Sequence, residues 1–170
     1  MTAPGNSGRE LTYREVGASH GALPAGYRHA AVERELGNGA ATFDVAVARL
    51  FAWDMHRAAG IRVAPSTPAP AVGVDVQLLF GIGPVRFPAW CRVIDVVDTP
   101  RRRGFTYGTL TGHPVSGEES FLVEHTTDGR VVGGVVAFSR PGRWYTRLAG
   151  PAVPLLQTLG VRRYLASLTD

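Results

Sequence analysis

The sequence has no lysine: all 18 of its basic residues are arginines. Schiff-base chemistry and a lysine general base are therefore excluded. There is one cysteine, Cys91, so the chain can form no internal disulfide and no cysteine-built structural zinc site. No apolar run reaches the roughly 18 residues of a membrane-crossing helix. The opening stretch MTAPGNSGRELTYRE lacks the apolar core of a secretory signal. These absences predict a cytoplasmic protein with no integral membrane contact. Cofactor signatures are missing as well. Gly81-Ile82-Gly83 leads into a proline and a strand, not a helix, so it is no dinucleotide fingerprint. There is no Gly-x-Ser-x-Gly elbow and no His-Glu-x-x-His, and the histidines at 20, 29, 56, 113 and 125 show no close paired spacing. The expectation is chemistry or binding with no cofactor and no metal.

What is present fits one globular domain. The chain has 170 residues, of which 45% are hydrophobic and 19% charged, enough for one packed core. The net charge of +4 raises the question of nucleic acid. The arginines are scattered, however, and their only run is Arg101, Arg102 and Arg103. A nucleic-acid surface needs clustering with aromatic platforms, so no such partner is expected.

Residues 1–10 read as a flexible arm ahead of a single domain over 11–170. Leu11 to Val16 reads as a short strand, and Gly17 to Gly26 as a loop. Tyr27 to Leu36 fits a strand or a helical turn, and Asn38-Gly39 is a turn signal. A helix is predicted over 41–59, where Phe43, Val47, Leu50, Phe51, Asp54 and Ala58 recur at helical spacing, with Thr42 as N-cap and Gly60 at the C-terminal end. Residues 64–73 form a Pro/Ala linker. From Val74 the period becomes two. Strands are expected over 74–80, 87–97, 105–110, 119–125 and 131–138, the last two joined by an Asp128-Gly129 hairpin turn. Short turns make this an antiparallel meander. The last thirty residues carry a helical apolar set interrupted by Pro151 and Pro154. The order predicts an α+β helix-grip fold, a curved antiparallel sheet closed by a long C-terminal helix around a cavity. A hot-dog sheet wrapped on the first helix fits less well, because it would end on strands.

The segments GFTYGTLTGHPVSGEESF (104–121), LPAGYRH (23–29), CRVIDVVDTP (91–100), AFSRP (137–141) and RRYL (162–165) together resemble the domain-of-unknown-function family 1990 over about residues 11–168. The resemblance implies kinship with START/Bet v 1-type helix-grip proteins, a superfamily of lipid carriers, ligand sensors and polyketide cyclases. It also implies a ring-forming role near polyketide biosynthesis. This chain differs from its relatives at Asp95 and at Gly133-Gly134, changes that would reshape a pocket.

Tyr107, His113, Glu118 and Glu119 place a phenol, an imidazole and two carboxylates within thirteen residues, a set able to supply both donor and acceptor for acid/base chemistry. The plainer reading is that Gly112-His113-Pro114 and Ser116-Gly117 form turns and that Glu118 ties down a loop by accepting backbone N–H bonds. Alternation puts Glu119 and Phe121 on one strand face, and Phe105 and Tyr107 on one face of the strand before. It groups Asp95 with Cys91, Val93 and Val97, making Asp95 either a desolvated acid or half of a buried ion pair with an arginine. The expected catalytic set is Asp95, Glu119, Tyr107 and His113, with Glu118, Phe105, Phe121 and Cys91 binding substrate. The first functional reading is a cofactor-free cyclase, pyran- or spiroketal-forming, acting on a small hydrophobic, oxygen-rich, polyketide-like molecule, with a homodimer left open. The second is a carrier or sensor of a lipid or hydrophobic metabolite, and a third is an arginine-rich contact with acidic lipids. Every assignment of faces depends on strand register, since a one-residue slip reverses it.

Overall fold

The computed structural model describes residues 7–64, 69–82, 85–142, 165, 167 and 168. Seven antiparallel strands form one curled sheet: β1 (Arg28–Asn38), β2 (Arg62–Val63), β3 (Asp75–Ile82), β4 (Val85–Thr99), β5 (Arg102–Thr109), β6 (Val115–His125) and β7 (Arg130–Pro141). Their spatial order is β1-β7-β6-β5-β4-β3-β2. Strands β3 to β7 are the meander read from the period of two. Strand β1 closes it on the far side by pairing with β7, which resolves the ambiguity at Tyr27–Leu36 in favour of a strand. The β6–β7 hairpin turns at Gly129, whose φ of 88° only a residue without Cβ adopts cheaply. The short strand β2 carries no recognisable signal in the sequence.

The expected single helix over 41–59 is two helices: α1 (Gly39–Phe51) and α2 (Asp54–Ala58). Asn38, in extended conformation, occupies the N-cap instead of Thr42, whose hydroxyl donates to the Asn38 carbonyl at 2.8 Å. Phe43, Ala46, Val47 and Leu50 give α1 one buried stripe. That stripe packs on the inner face of the sheet with Val76, Val93, Phe105, Phe121, Val123 and Val135 to form the core. Leu165 and Leu168, each 2% exposed, join it. The rest of the expected C-terminal helix lies outside the described residues.

The outer face is covered differently. Leu11 forms only an isolated bridge to Leu110, so the expected strand at 11–16 is an irregular strap. The strap includes one 3-10 turn, Ala18–His20. It seats Tyr13 edge-on against Phe138, which Tyr27 contacts likewise. The described part of the N-terminal arm is tied down rather than free: the Ser7 N–H donates to Asp75, and Arg9 donates to the Thr111 carbonyl and lies over the Trp90 ring.

Candidate functional site

Register brings Tyr107 opposite Glu119, and Val93 opposite Tyr107. These inner-face positions sit beneath α1 and α2 and make up the aromatic heart of the molecule. Phe105 and Phe121 are each 1% exposed, with ring centroids 5.3 Å apart, and Tyr107 packs against Phe121 at 5.2 Å. The Tyr107 hydroxyl donates to a Glu119 carboxylate oxygen at 3.0 Å. On its other side it lies 3.2 Å from Nε2 of His56, a fully buried residue of α2. Glu119, Tyr107 and His56 thus form one hydrogen-bonded chain through an apolar interior, and Glu119 at its end keeps partial solvent access.

Burial sets the protonation states. Desolvation raises the Glu119 carboxyl to about 7, against a smaller lowering by the Tyr107 hydrogen bond. Desolvation, with the Arg57 charge adding to it, lowers His56 to about 3. Near neutral pH the imidazole is uncharged, while Glu119 exchanges a proton. When Glu119 is ionised, the Tyr107 O–H points to it and a His56 Nε2–H can donate to the phenol oxygen. When Glu119 is protonated, the chain can run in the opposite sense.

The remaining expected site residues fall elsewhere. A bulge shifts the β4–β5 register between Val93 and Asp95. Before it, Cys91 and Val93 face inward. After it, Val96 takes the inner position while Asp95 and Val97 turn outward. Asp95 therefore does not share the face of Cys91 and Val93. Its half-exposed side chain lies 3.4 Å from Nε2 of His20, which also meets the Thr106 hydroxyl at 2.9 Å. The anticipated desolvated acid or buried arginine pair at this position is corrected accordingly.

Glu118 faces the strap, opposite the cavity side expected for a substrate-binding group. It is 3% exposed and accepts hydrogen bonds from the Tyr13 hydroxyl (2.9 Å), the Gly17 N–H (2.8 Å), the Ser19 N–H (3.0 Å) and the Ser19 hydroxyl. This is the loop-tying role that its turn-rich setting offered as the plainer reading. Cys91 is fully buried, and its thiol is held well above its ordinary pKa by desolvation and the nearby charges of Glu119 and Asp75. It packs as a small core residue.

His113 engages Val115 backbone atoms through Nδ1 at 3.0–3.1 Å and meets the Phe80 ring edge-on at 6.1 Å. Desolvation lowers it to about 4, so it shapes the β5–β6 turn as a neutral ring. A cleft of ≈ 550 Å³ between the strap and the ends of β6 and β7 is lined by Thr12, Thr111, His113, Ser116 and Arg140 among others, and by none of the Glu119 chain. Its one charged side chain, Arg140, stacks on Tyr27 at 4.6 Å. The inner-face chain is the better chemical candidate, because it joins a carboxyl titrating near neutrality to two hydrogen-bonded partners, which the cleft does not. Among the described residues no group of three or more His, Cys, Asp or Glu side chains could hold a metal ion.

Two contributors escaped the sequence reading, His56 and Trp53. A continuous helix would place Asp54 on the apolar stripe. The break at Trp53 rotates α2 instead, so that Met55 and His56 are buried and Asp54 pairs with Arg57 at the surface, 2.9 Å away. Trp53 adopts φ 64° and ψ 18°, and nothing in a tryptophan signals a left-handed backbone.

Comparison with known proteins places this geometry in a family. A family model described as Domain of unknown function (DUF1990) matches residues 12–167. The chain belongs to this family. The UPF0548 protein of Deinococcus radiodurans is 36% identical to it, across 90% of this chain and 83% of that protein. Among solved structures, a hypothetical protein from Helicobacter pylori superposes with a TM-score of 0.62 at 10% identity, covering 94% of each chain. Norcoclaurine synthase from Thalictrum, solved as a point mutant in complex with a transition-state analogue, gives 0.51 at 11% identity, covering 86% of this chain and 97% of that one. At such identities the likeness is one of fold. It agrees with a helix-grip architecture, a curled antiparallel sheet with few helices.

Proposed function

We propose that this DUF1990 protein binds a small hydrophobic, oxygen-bearing molecule against the inner face of its sheet and performs cofactor-free acid/base chemistry on it. The observation that carries the reading is the chain Glu119–Tyr107–His56, bonded at 3.0 and 3.2 Å within an aromatic core. A carboxyl with a pKa near 7 holds and releases a proton at neutral pH, which suits a general acid/base. Tyr107 can donate to the Glu119 carboxylate when it is ionised, or to Nε2 of His56 when Glu119 is protonated and the imidazole carries its proton on Nδ1. Ring closure of a hydroxy-ketone chain to a pyran or spiroketal would use these parts. One hydroxyl first adds to the ketone to give a cyclic hemiketal. Glu119 then protonates the hemiketal hydroxyl, which leaves as water, the ring oxygen stabilises the cation as an oxocarbenium ion, and the Glu119 carboxylate takes the proton of the second hydroxyl as it attacks that carbon. Holding the chain in one reactive conformer would supply much of the acceleration. A polyketide-like substrate is the class this chemistry fits.

The second reading, a carrier or sensor, draws on the same inner face and on the helix-grip likeness, which suits ligand holding as readily as catalysis. Deleting the gene and comparing metabolites by mass spectrometry separates the two. The enzyme reading predicts accumulation of an isomer or hydrate that the purified protein converts and that Glu119→Gln leaves at least ~100-fold slower, in line with general acid/base contributions. An unchanged metabolite profile, together with an apolar molecule co-purifying equally with wild type and Glu119→Gln, overturns it in favour of the carrier.

A further inference from the structure

Trp53 is the one non-glycine residue with positive φ among the described residues. A left-handed backbone is sterically disfavoured for an L-residue with a Cβ. Glycine or asparagine would occupy it more cheaply. Yet a bulky tryptophan is kept there, 2% exposed, at the junction of α1 and α2. Held strain of this kind recurs at functional sites, where the surroundings over-determine it.

The surroundings here converge on His56. The Trp53 carbonyl accepts the N–H of His56 at 3.1 Å and that of Arg57 at 3.3 Å, starting α2 immediately after the break. The indole lies edge-on to the His56 imidazole with centroids 5.2 Å apart and packs on Phe105 at 4.9 Å. Phe105 in turn packs at a tilt against Phe121, whose ring lies 5.5 Å from the imidazole. The kink supplies the direction of α2, and the ring supplies a wall that fixes the imidazole plane.

From this geometry we propose that Trp53 is a positioning residue, whose left-handed kink and buried indole hold His56 in line with Tyr107 and Glu119. The inference rests on the proposed acid/base role of that chain. Trp53 acts through His56 and touches no reacting atom. Its effect reaches Glu119 because a displaced imidazole leaves Tyr107 without its second hydrogen-bond partner and opens the interior to water.

The test uses the full-length protein and nuclear magnetic resonance of ¹³C-labelled Glu119 and ¹⁵N-labelled His56. In Trp53→Gly and Trp53→Asn, whose backbones accept the left-handed conformation, the Glu119 midpoint is expected to fall by at least one pH unit as water enters. The His56 Nε2 resonance is expected to shift or broaden while the β-sheet amides stay in place. Trp53→Phe, which keeps a ring, is expected to restore most of both signals. The unmutated protein carrying 5-fluorotryptophan gives a readout that does not depend on a variant folding: the Trp53 ¹⁹F resonance should titrate with the Glu119 midpoint. A wild-type midpoint near 7 with unmoved His56 and Glu119 signals in the Gly and Asn variants overturns the positioning role alone, as does a pH-silent Trp53 ¹⁹F resonance. A wild-type Glu119 midpoint near 4.5 overturns the acid/base reading on which it rests.

Discussion

Glu119 and Glu118 are adjacent in sequence and opposite in role, because successive strand residues face opposite ways. Glu118 meets four donors from the strap, whereas Glu119 meets one phenol and an apolar wall. That difference makes one carboxylate an anchor and underlies the proposed proton-carrying role of the other. It also carries a pH signature. Glu119 has its carboxyl raised in the folded state, from an ordinary 4.5 to about 7. The folded protein therefore binds this proton more tightly than the unfolded chain does. The associated stability is fully present below about pH 4.5 and is lost as pH rises through about 7. Glu119→Gln, which cannot ionise, should accordingly gain stability relative to wild type over this window and hold the gain above it, about 3 kcal/mol at pH 8. Urea melts at pH 5, 6.5 and 8 check this. A difference between the two proteins that does not change with pH would contradict it.

At the scale of elements, alternation places Phe105 with Tyr107 on one face of β5 and Glu119 with Phe121 on one face of β6, and the strand register then brings the two pairs together. Asp95 was misassigned because a bulge adds one residue to β4 after Val93, and no local residue type announces it. His56 was missed for a related reason, since the helical pattern through Phe51 and Asp54 reads smoothly across a break that only a backbone dihedral reveals. The strap over the outer face was read as a strand and a loop, and its dependence on Glu118 follows from three-dimensional contacts. Glu118→Gln leaves an acceptor on one side of the amide only and turns the other into a donor facing N–H groups. The expected cost is about 2–4 kcal/mol, several charge-assisted bonds being weakened together. Hydrogen exchange should show faster exchange at Gly17 and Ser19 with β3 to β7 still protected. Equal protection of the strap in both proteins would sink the anchor role. Gly108→Ala should act on the same element from below, since an added Cβ would meet the Tyr13 hydroxyl at 2.1 Å and push the strap off the sheet. Its expected melting-temperature loss of several degrees corresponds to roughly 1–3 kcal/mol of overpacking.

At the scale of the whole molecule, one sheet separates two environments. Part of its outer face is covered by a hydrogen-bonded strap, and its inner face holds aromatic rings and the one described hydrogen-bonded chain that ends on a carboxyl titrating near neutrality. Among the described residues no helix is long and apolar enough to cross a membrane. The family and the general form of the sheet were legible from motif and period, because a meander is built from local turns. The chemistry was legible only where register alone decides neighbours, as between Tyr107 and Glu119, and not where a helix break brings in a third partner.

The central claim, that the inner face presents an acid/base group poised for neutral pH, is tested most directly by titrating the ¹³C-labelled carboxyl of Glu119 in wild type and in Tyr107→Phe. A wild-type midpoint near 7 is expected, and a higher one in Tyr107→Phe, because the phenol hydrogen bond stabilises the ionised form and its loss favours the proton. A wild-type midpoint near the ordinary 4.5, or one that Tyr107→Phe leaves in place, would contradict it.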